Sequence, residues 1–358
     1  MTSQSTNPVV YEATPMTLCL RALAYTATAF CVLFIFNNFL IFWQGWPGVD
    51  VFLAHYGLLG MVALKTPLEG ITLTLGWVQI LTYTGSIAVS IGLVLKTRSR
   101  PMLADSAVMA SISAYVVRSA FWVILLIGIV DVGISFLRVE GFMEQFFGIE
   151  MAKELGRASY RGIHVHFPLV ALGFIIGLFT RSLGFIWLAF LIVVAELMIV
   201  ITRFVFSYEQ AFMGDLVRFW YAGLFLFASA YTLIEEGHVR VDILYTGFSA
   251  RGKAWTNTIG SLILGLPVCW IILIFGMWGK SNLINAPLLS YEVTQNGYGL
   301  FVKYLMAGFL MIYAVSMMIQ FIGYFLSNAS ALLGHPPKQV DATGKMNSGT
   351  VLLDEQKA

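Results

Sequence analysis

Eight long apolar stretches restrict the fold of this chain more than any other feature of its sequence. A bilayer core is ~30 Å thick, so a helix needs about 20 mostly apolar residues to cross it. Because 58% of the residues are hydrophobic and only 11% are charged, the composition also lies outside the range of soluble proteins. The stretches therefore predict transmembrane helices. Their approximate limits are 17–43, 71–95, 119–137, 163–180, 183–202, 218–234, 256–278 and 304–327.

The predicted fold class is all-α: a polytopic membrane protein of about eight transmembrane helices with additional amphipathic helices at the interface. Residues 138–162 connect two spans and mix acidic with basic side chains around apolar residues at helix-like spacing. This pattern predicts an amphipathic helix on the membrane surface, with an ordinary loop as the alternative. Residues 52–64 are apolar but too short to span, which favours a second surface helix or a re-entrant helix.

The distribution of basic residues predicts the orientation of the chain. Lys96, Arg98 and Arg100 crowd the connection after the second span, whereas residues 44–70 contain Lys65 alone. Lysine and arginine favour cytoplasmic loops, so the N-terminus is predicted to be cytoplasmic. Eight spans then return the C-terminus to the same side.

Two acidic residues fall inside predicted spans, Asp131 in the third and Glu196 in the fifth. A charged acid at the centre of a membrane helix costs about 2.5 to 3.5 kcal/mol on insertion scales. Each acid should therefore be protonated, paired or turned towards protein. Glu196 has Arg203 seven residues later on the same helix face. A structural role with this arginine and a role in ion coupling are the two alternatives for Glu196.

Charge is most concentrated at the end of the sixth span, in the octapeptide at residues 235–242. Such groups are costly in hydrocarbon, so they fix the depth of the helix that carries them. In extended backbone alternate side chains point to opposite sides, which would present the polar ones to a polar partner. We interpret the octapeptide as a lock between helices or subunits, with a solvated anchor at the lipid head groups as the alternative. Its ionisable residues are Glu235, Glu236, His238, Arg240 and Asp242.

Asp215 and Arg218 stand at the beginning of the sixth span. Residues three apart share a helix face and can pair, although an exposed pair contributes little stability. Capping and anchoring of the span is the interpretation that we prefer for them. The same span has small residues at Ala222 and Gly223 and again seven positions later, at Ser229 and Ala230. Such a strip would let another helix approach closely.

Several motifs in the second half of the chain occur in the order of a known family. They are Ile201-Thr202-Arg203-Phe204-Val205-Phe206, Asp215 with Arg218, Gly237-His238-Val239-Arg240-Val241-Asp242, and Ser290-Tyr291-Glu292 followed by Gly299 and Lys303. With these motifs the second half resembles the small membrane subunit of tripartite ATP-independent periplasmic (TRAP) transporters, the DctQ family or Q-type subunit. The resemblance implies a DctQ-like module of four helices at 183–328, preceded by an extension at 1–182 with about four spans. Pro336, Pro337 and many small polar residues predict a flexible cytoplasmic tail at 329–358.

The resemblance further implies a division of labour in a transporter of the bacterial inner membrane. A periplasmic binding protein (P-type) delivers an organic acid or similar solute, and a large membrane subunit (M-type) moves it, generally with sodium. The small subunit braces the large one, so no enzymatic activity, no cofactor of its own and no nucleic-acid partner are expected. Together with the octapeptide, the residues implied in partner contacts, lipid contacts or helix locking are Arg203, Asp215, Arg218, Glu292 and Lys303.

Two other classes of protein compete with this interpretation. Eight spans could form a self-sufficient secondary transporter, although residues 183–327 lack the paired broken helices that mark a midplane substrate site. Alternatively, histidines could hold a haem in the membrane anchor of a redox enzyme, which requires facing histidines at matched depth. His164 and His166 are predicted on the outer side and His238 on the inner side, an arrangement that argues against haem.

Overall fold

The chain is almost entirely helical wherever its structure is described. The computed structural model describes residues 13–181, 185–208, 210–234, 245–293 and 299–334. No β-strand occurs among these residues. In lipid a helix satisfies its backbone hydrogen-bonding groups within its own segment, which is why long apolar stretches fold in this way. The predicted all-α fold is confirmed.

The described residues form thirteen α-helices. The first half forms α1 (Pro15–Gln44), α2 (Val49–His55), α3 (Gly70–Lys96), α4 (Met102–Val139), α5 (Met143–Leu155), α6 (Ala158–Arg161) and α7 (Phe167–Phe179). The second half forms α8 (Phe185–Val205), α9 (Ala211–Ile234), α10 (Ala250–Gly260), α11 (Leu266–Met277), α12 (Asn285–Ser290) and α13 (Lys303–Leu332). Three short turns complete them: a 3₁₀ turn at Leu58–Gly60 and π-helical turns at Gly162–His166 and Ser261–Gly265.

Seven helical segments of the described residues are long and apolar enough to cross a membrane. They correspond to predicted spans one to five, seven and eight. Two of the segments are continuous helices that include a π turn, at Ala158–Phe179 and Ala250–Met277. Helix α9 covers the sixth predicted span with 24 residues but is not one of the seven. The multi-pass architecture is therefore confirmed with seven candidate spans, where the sequence predicts about eight.

Helix α4 departs most from the predicted limits, since it has 38 residues where the sequence predicts a span at 119–137. At 1.5 Å per residue it is about 57 Å long. Pro101 stands immediately before the helix, and no glycine or proline follows until Gly128, so nothing in the sequence interrupts it. Asp105 and Arg118 lower the apolar character of its first half, which explains why the predicted span begins too late.

The connection between α4 and α6 contains α5 where an amphipathic helix is predicted, although Gly148, with φ 77° and ψ 163°, interrupts the helix. Within α5, Met143 and Leu155 are buried, whereas Phe146 and Ile149 are each 69% exposed. A helix that turns some apolar side chains to protein and others outwards is suited to a lipid surface. Residues 52–64 contain only the end of α2 and the 3₁₀ turn, so the second predicted surface element is short.

The described residues divide into two compact units, one within Met1–Met109, Val241–Leu264 and Phe321–Ala358, the other within Ala110–Arg240 and Gly265–Gln320. A buried ion pair fixes helices of the first unit. Arg21 Nε on α1 lies 2.5 Å from Asp105 Oδ2 on α4. Arg21 also donates to the carbonyl and the hydroxyl of Thr97, both at 2.9 Å. The charges of this pair are thus compensated within the unit.

In the second unit, two glycines let α7 approach α4 closely. A Cβ added to Gly173 would lie 2.6 Å from Val123, and one added to Gly177 would lie 2.4 Å from Ser119. Small residues four apart are a common device for close contact between membrane helices. The backbones of α4 and α7 are therefore in close contact along this seam.

Helix α9 packs against α4 by the same means. A Cβ at Gly223 would lie 2.5 Å from Ile124, and one at Gly128 would lie 2.3 Å from the indole nitrogen of Trp220. The Trp220 N–H donates to the Ile124 carbonyl over 3.1 Å. At Gly223, the small-residue strip predicted on the sixth span serves packing within the chain.

Candidate functional site

Four fully buried polar side chains meet in the second unit, and we refer to Asp131, Arg161, His166 and Tyr304 as the polar cluster. Asp131 belongs to α4 and Tyr304 to α13, while Arg161 ends α6 and His166 ends the π turn that follows it. Arg161 Nη1 lies 2.8 Å from Asp131 Oδ1, and His166 Nε2 lies 3.1 Å from the same oxygen. His166 Nδ1 and the Tyr304 hydroxyl oxygen are 2.6 Å apart. The cluster thus ties three parts of the chain together.

The contacts of the polar cluster compensate for the burial of its charges. Removing an ion from water costs several kcal/mol even after relaxation, and only a close opposite charge with further hydrogen bonds offsets this. Arg161 donates from Nε to the Leu155 carbonyl over 3.0 Å. Asp131 Oδ2 accepts the Phe301 N–H over 2.8 Å. With these partners, an acid can be accommodated inside an apolar helix.

A π-helical turn places Arg161 and His166 on the same side of their helix. The turn covers Gly162–His166, and the Phe167 N–H bonds to the carbonyl of Gly162, five residues earlier. Residues five apart diverge in an α-helix, which has 3.6 residues per turn, but come close together across the wider π turn. A guanidinium and an imidazole thereby reach a single carboxylate.

The backbone just before α13 is held by side chains from α4 and α9. Three of its polar groups are bonded: the Phe301 N–H to Asp131 at 2.8 Å, the Leu300 N–H to Asp215 at 3.1 Å, and the Gly299 carbonyl to Arg138 at 2.8 Å. These groups lie outside any helix and would otherwise need water or another partner. Two acids and one arginine therefore fix the position of the backbone immediately before the last helix.

The ring of Phe301 lies between two guanidinium groups. The Cζ of Arg161 is 4.1 Å from the ring centroid, and the Cζ of Arg138 is 4.6 Å from it. A cation on an aromatic face contributes about 2 kcal/mol when both are desolvated, as they are around Arg161. The side chain of Phe301 thus adds to the contact that its backbone makes with Asp131.

Two residues implied by the family resemblance, Glu292 and Lys303, meet beside the polar cluster. Lys303 Nζ lies 2.5 Å from Glu292 Oε1, and both side chains are partly exposed. The Glu292 carbonyl accepts the Tyr304 N–H over 3.0 Å. The ring of Tyr291 packs edge-on against Tyr304 with centroids 5.4 Å apart, and burial raises the pKa of the Tyr291 phenol. The segment after α12 is therefore attached to the first turn of α13.

Asp215 and Arg218 lie on one face of α9, with 3.5 Å between Oδ1 and Nη1. The side chain of Arg218 is 75% exposed, so this pair contributes little stability. The better contact of Asp215 is its bond to the Leu300 N–H. Asp215 therefore joins α9 to the segment before α13, a contact that the sequence analysis does not foresee.

Glu196 and Arg203 are both exposed on α8. In the described part of the chain neither side chain forms a hydrogen bond or an ion pair. Glu196 is thus an acid near the middle of an apolar helix, and its surroundings must supply any partner. The octapeptide lies outside the described residues, and with it Glu235, Glu236, His238, Arg240 and Asp242.

Sequence reasoning identifies Asp131 but misses Arg161, His166 and Tyr304. One signal was available for the arginine. Asp131 requires a compensating group within reach, and Arg161 stands directly before the fourth predicted span. No comparable signal points to Tyr304, because its contact depends on how α13 packs.

The two described histidines of the second unit, His164 and His166, are placed unfavourably for haem. Both ring nitrogens of His166 are engaged, by Asp131 and by Tyr304, which leaves none for an iron. His164 is exposed and stacks on the Tyr160 ring with centroids 4.2 Å apart. Nowhere in the described ranges do three histidine, cysteine or acidic side chains come together as a metal site would require.

The helices define a multi-pass membrane protein whose second unit contains the buried polar cluster. Residues 190–330 match the family model described as "Tripartite ATP-independent periplasmic transporters, DctQ component". This part of the chain is therefore similar to a DctQ domain, and the DctQ family is a family of transporter components. The resemblance seen in the sequence is confirmed. No curated protein and no solved structure matches the chain.

The boundaries of the match show what the polar cluster joins. Asp131, Arg161 and His166 precede the DctQ domain, whereas Phe301 and Tyr304 belong to it. The cluster is therefore one of the contacts through which the extension holds the last helix of the DctQ domain; the Ser113 hydroxyl, which donates to the Ser316 carbonyl over 3.0 Å, is another.

Proposed function

We propose that the chain is the small permease subunit of a TRAP transporter and that it braces the large membrane subunit, which moves the substrate. The match of residues 190–330 to the DctQ component carries this proposal. A periplasmic binding protein delivers an organic acid or similar solute, and the large subunit couples its uptake to sodium. The complex lies in the bacterial inner membrane, with both termini of this chain in the cytoplasm.

The polar cluster supports a bracing role. A brace has to keep its shape while its partner moves, and a buried network of hydrogen bonds and ion pairs favours a single arrangement of helices. One buried donor of the cluster, Nη2 of Arg161, has no partner among the described residues. Both oxygens of Asp131 have partners within the chain. A carboxylate engaged in this way is suited to holding helices together rather than to exchanging an ion.

An exposed face of α8 would provide a contact for the large subunit. Glu196 lies on this face with Val193 and Val200, which are 64% and 48% exposed. A charged acid near the centre of a membrane helix costs about 2.5 to 3.5 kcal/mol in lipid, whereas a donor on a partner helix would offset that cost. The position of Glu196 therefore supports a protein partner at this face.

Co-purification with the large subunit tests this contact. Glu196→Gln keeps a side chain that can form hydrogen bonds, while Glu196→Leu removes that ability. We expect Glu196→Leu to lower the amount of large subunit captured by the tagged chain several-fold and Glu196→Gln to have a smaller effect. Val200→Leu on the same face is the matched control. If Glu196→Leu leaves the complex intact and makes the chain more stable, the face contacts lipid instead.

The octapeptide offers an independent test of assembly. Combined replacement of Arg240 by Gln and Asp242 by Asn should reduce co-purification with the large subunit, and an unchanged yield would argue against a lock there. Transport in liposomes tests the subunit role itself. Uptake should require the large subunit and the binding protein, whereas uptake by this chain alone would identify a self-sufficient transporter.

A further inference from the structure

Two arginines before the DctQ domain lie at the same end of the contact between α4 and α7. Arg118 lies on α4, and Arg181 comes two residues after the end of α7. A Cβ added to Gly177 would lie 2.4 Å from the Ser119 hydroxyl oxygen; Arg118 is the neighbour of Ser119, and Arg181 follows Gly177 by four residues. Neither guanidinium forms an ion pair or a hydrogen bond with a described residue. The Nε of Arg118 is buried and lacks an acceptor.

The surroundings of the two arginines are typical of a membrane surface. One candidate span ends at Phe179, two residues before Arg181, and the next candidate span begins at Phe185. The Trp122 indole N–H donates to the Thr180 hydroxyl over 2.9 Å. Arg118 is four residues from Trp122 and therefore shares its helix face. Tryptophan is enriched at the head groups of the bilayer, which agrees with this level.

We propose that Arg118 and Arg181 bind a phosphate group, carried by an anionic phospholipid or free in solution. Guanidinium groups match phosphate oxygens with paired N–H donors. Basic pockets between transmembrane helices are also suited to anionic head groups. A bound phosphate would supply the negative charge that the chain itself does not offer to these arginines. The site belongs to the extension and does not depend on the proposed role in TRAP transport.

Native mass spectrometry of the full chain in detergent tests the lipid source. Phosphatidylglycerol should bind more tightly than phosphatidylcholine, which has no net charge. Arg118→Gln and Arg181→Gln should each weaken the binding of phosphatidylglycerol about fivefold, the contribution expected of one basic residue near an anionic surface. Arg98→Gln removes another exposed arginine, from the connection after α3, and should leave binding unchanged.

A second measurement replaces the lipid with inorganic phosphate and follows the melting temperature of the chain. Stabilisation by phosphate that is lost in Arg118→Gln would identify the free anion as the source. Arg181→Gln changes an exposed side chain, so it provides a folded variant if Arg118→Gln disturbs α4. The proposal is overturned if neither ligand binds the wild type, or if both arginine variants bind as tightly as the wild type.

Discussion

Asp131 shows how a single acid is accommodated inside an apolar helix. Its oxygens accept bonds from Arg161, from His166 and from the backbone of Phe301. Because Asp131 is fully buried, each lost partner leaves a buried polar group unsatisfied. Substitution of a buried acid of this kind should therefore lower the stability of the chain far more than substitution of an exposed acid.

Replacing Asp131 with asparagine is expected to destabilise the chain by about 3 to 5 kcal/mol, because Arg161 would be left as a buried charge without a counter-charge. Thermal unfolding of the purified chain in detergent measures the effect. The matched control is Glu154→Gln, which breaks the exposed ion pair with Arg157 and should cost less than about 1 kcal/mol. Similar melting temperatures for the two variants would contradict the proposed importance of the cluster.

At the scale of a residue, the sequence predicts that Asp131 needs partners but does not identify them. The cost of a charge in hydrocarbon predicts that Asp131 needs a partner, but it does not identify one. Phe301 lies 170 residues away along the chain, and its contact depends on packing that hydropathy does not encode. Glu196 is likewise an acid inside a predicted span, but its side chain is exposed and no partner for it lies in the described part of the chain.

At the scale of an element, the two π turns have a common cause. Pro168 stands just after Gly162–His166, and Pro267 stands just after Ser261–Gly265. Proline has no N–H and its ring clashes with the carbonyl four residues earlier. A membrane helix that continues through proline relieves this by a local change of helix type. The predicted spans correctly continue through both prolines, but the effect of the first turn on His166 was not predicted.

Gly162→Ala should destabilise the chain by about 1 to 3 kcal/mol through overpacking. A Cβ at Gly162 would lie 2.5 Å from the Tyr291 ring and 3.1 Å from the Tyr304 hydroxyl. The melting temperature in detergent measures the change. Gly85→Ala is the control, because a Cβ at that helical position meets nothing within 4 Å. A Gly162→Ala protein as stable as the control would show that the turn can widen to accept a methyl group.

At the scale of the whole molecule, the class of fold could be predicted because lipid leaves few alternatives to a helix. The DctQ motifs could be recognised because the residues of each motif are close together in the sequence and the motifs follow one another in the order of the family. The joining of the extension to this domain could not be predicted, since it rests on Asp131, Arg161 and His166 meeting Tyr304 only after folding.

Expression of residues 183–358 without the extension should fail to give a monodisperse protein. The Phe301 N–H would lose its acceptor and the Tyr304 hydroxyl its partner, and unsatisfied groups in a membrane protein are costly. Size-exclusion chromatography of the detergent extract measures the outcome. Co-expression of residues 1–182 as a separate chain should restore a single peak. A well-behaved shorter protein on its own would show that the DctQ domain is autonomous.

The short distance along the chain between Asp131 and Arg161 also allows the two residues to pair early during synthesis and membrane insertion. The two residues are 30 positions apart, and the N-terminal part of a chain is made first. The acid and its base can therefore enter the membrane within the same early stretch and neutralise each other before the DctQ domain exists. Phe301 and Tyr304 then arrive at a carboxylate that is already paired. If the base stood in the last helix instead, Asp131 would wait unpaired in lipid while most of the protein was still to be made.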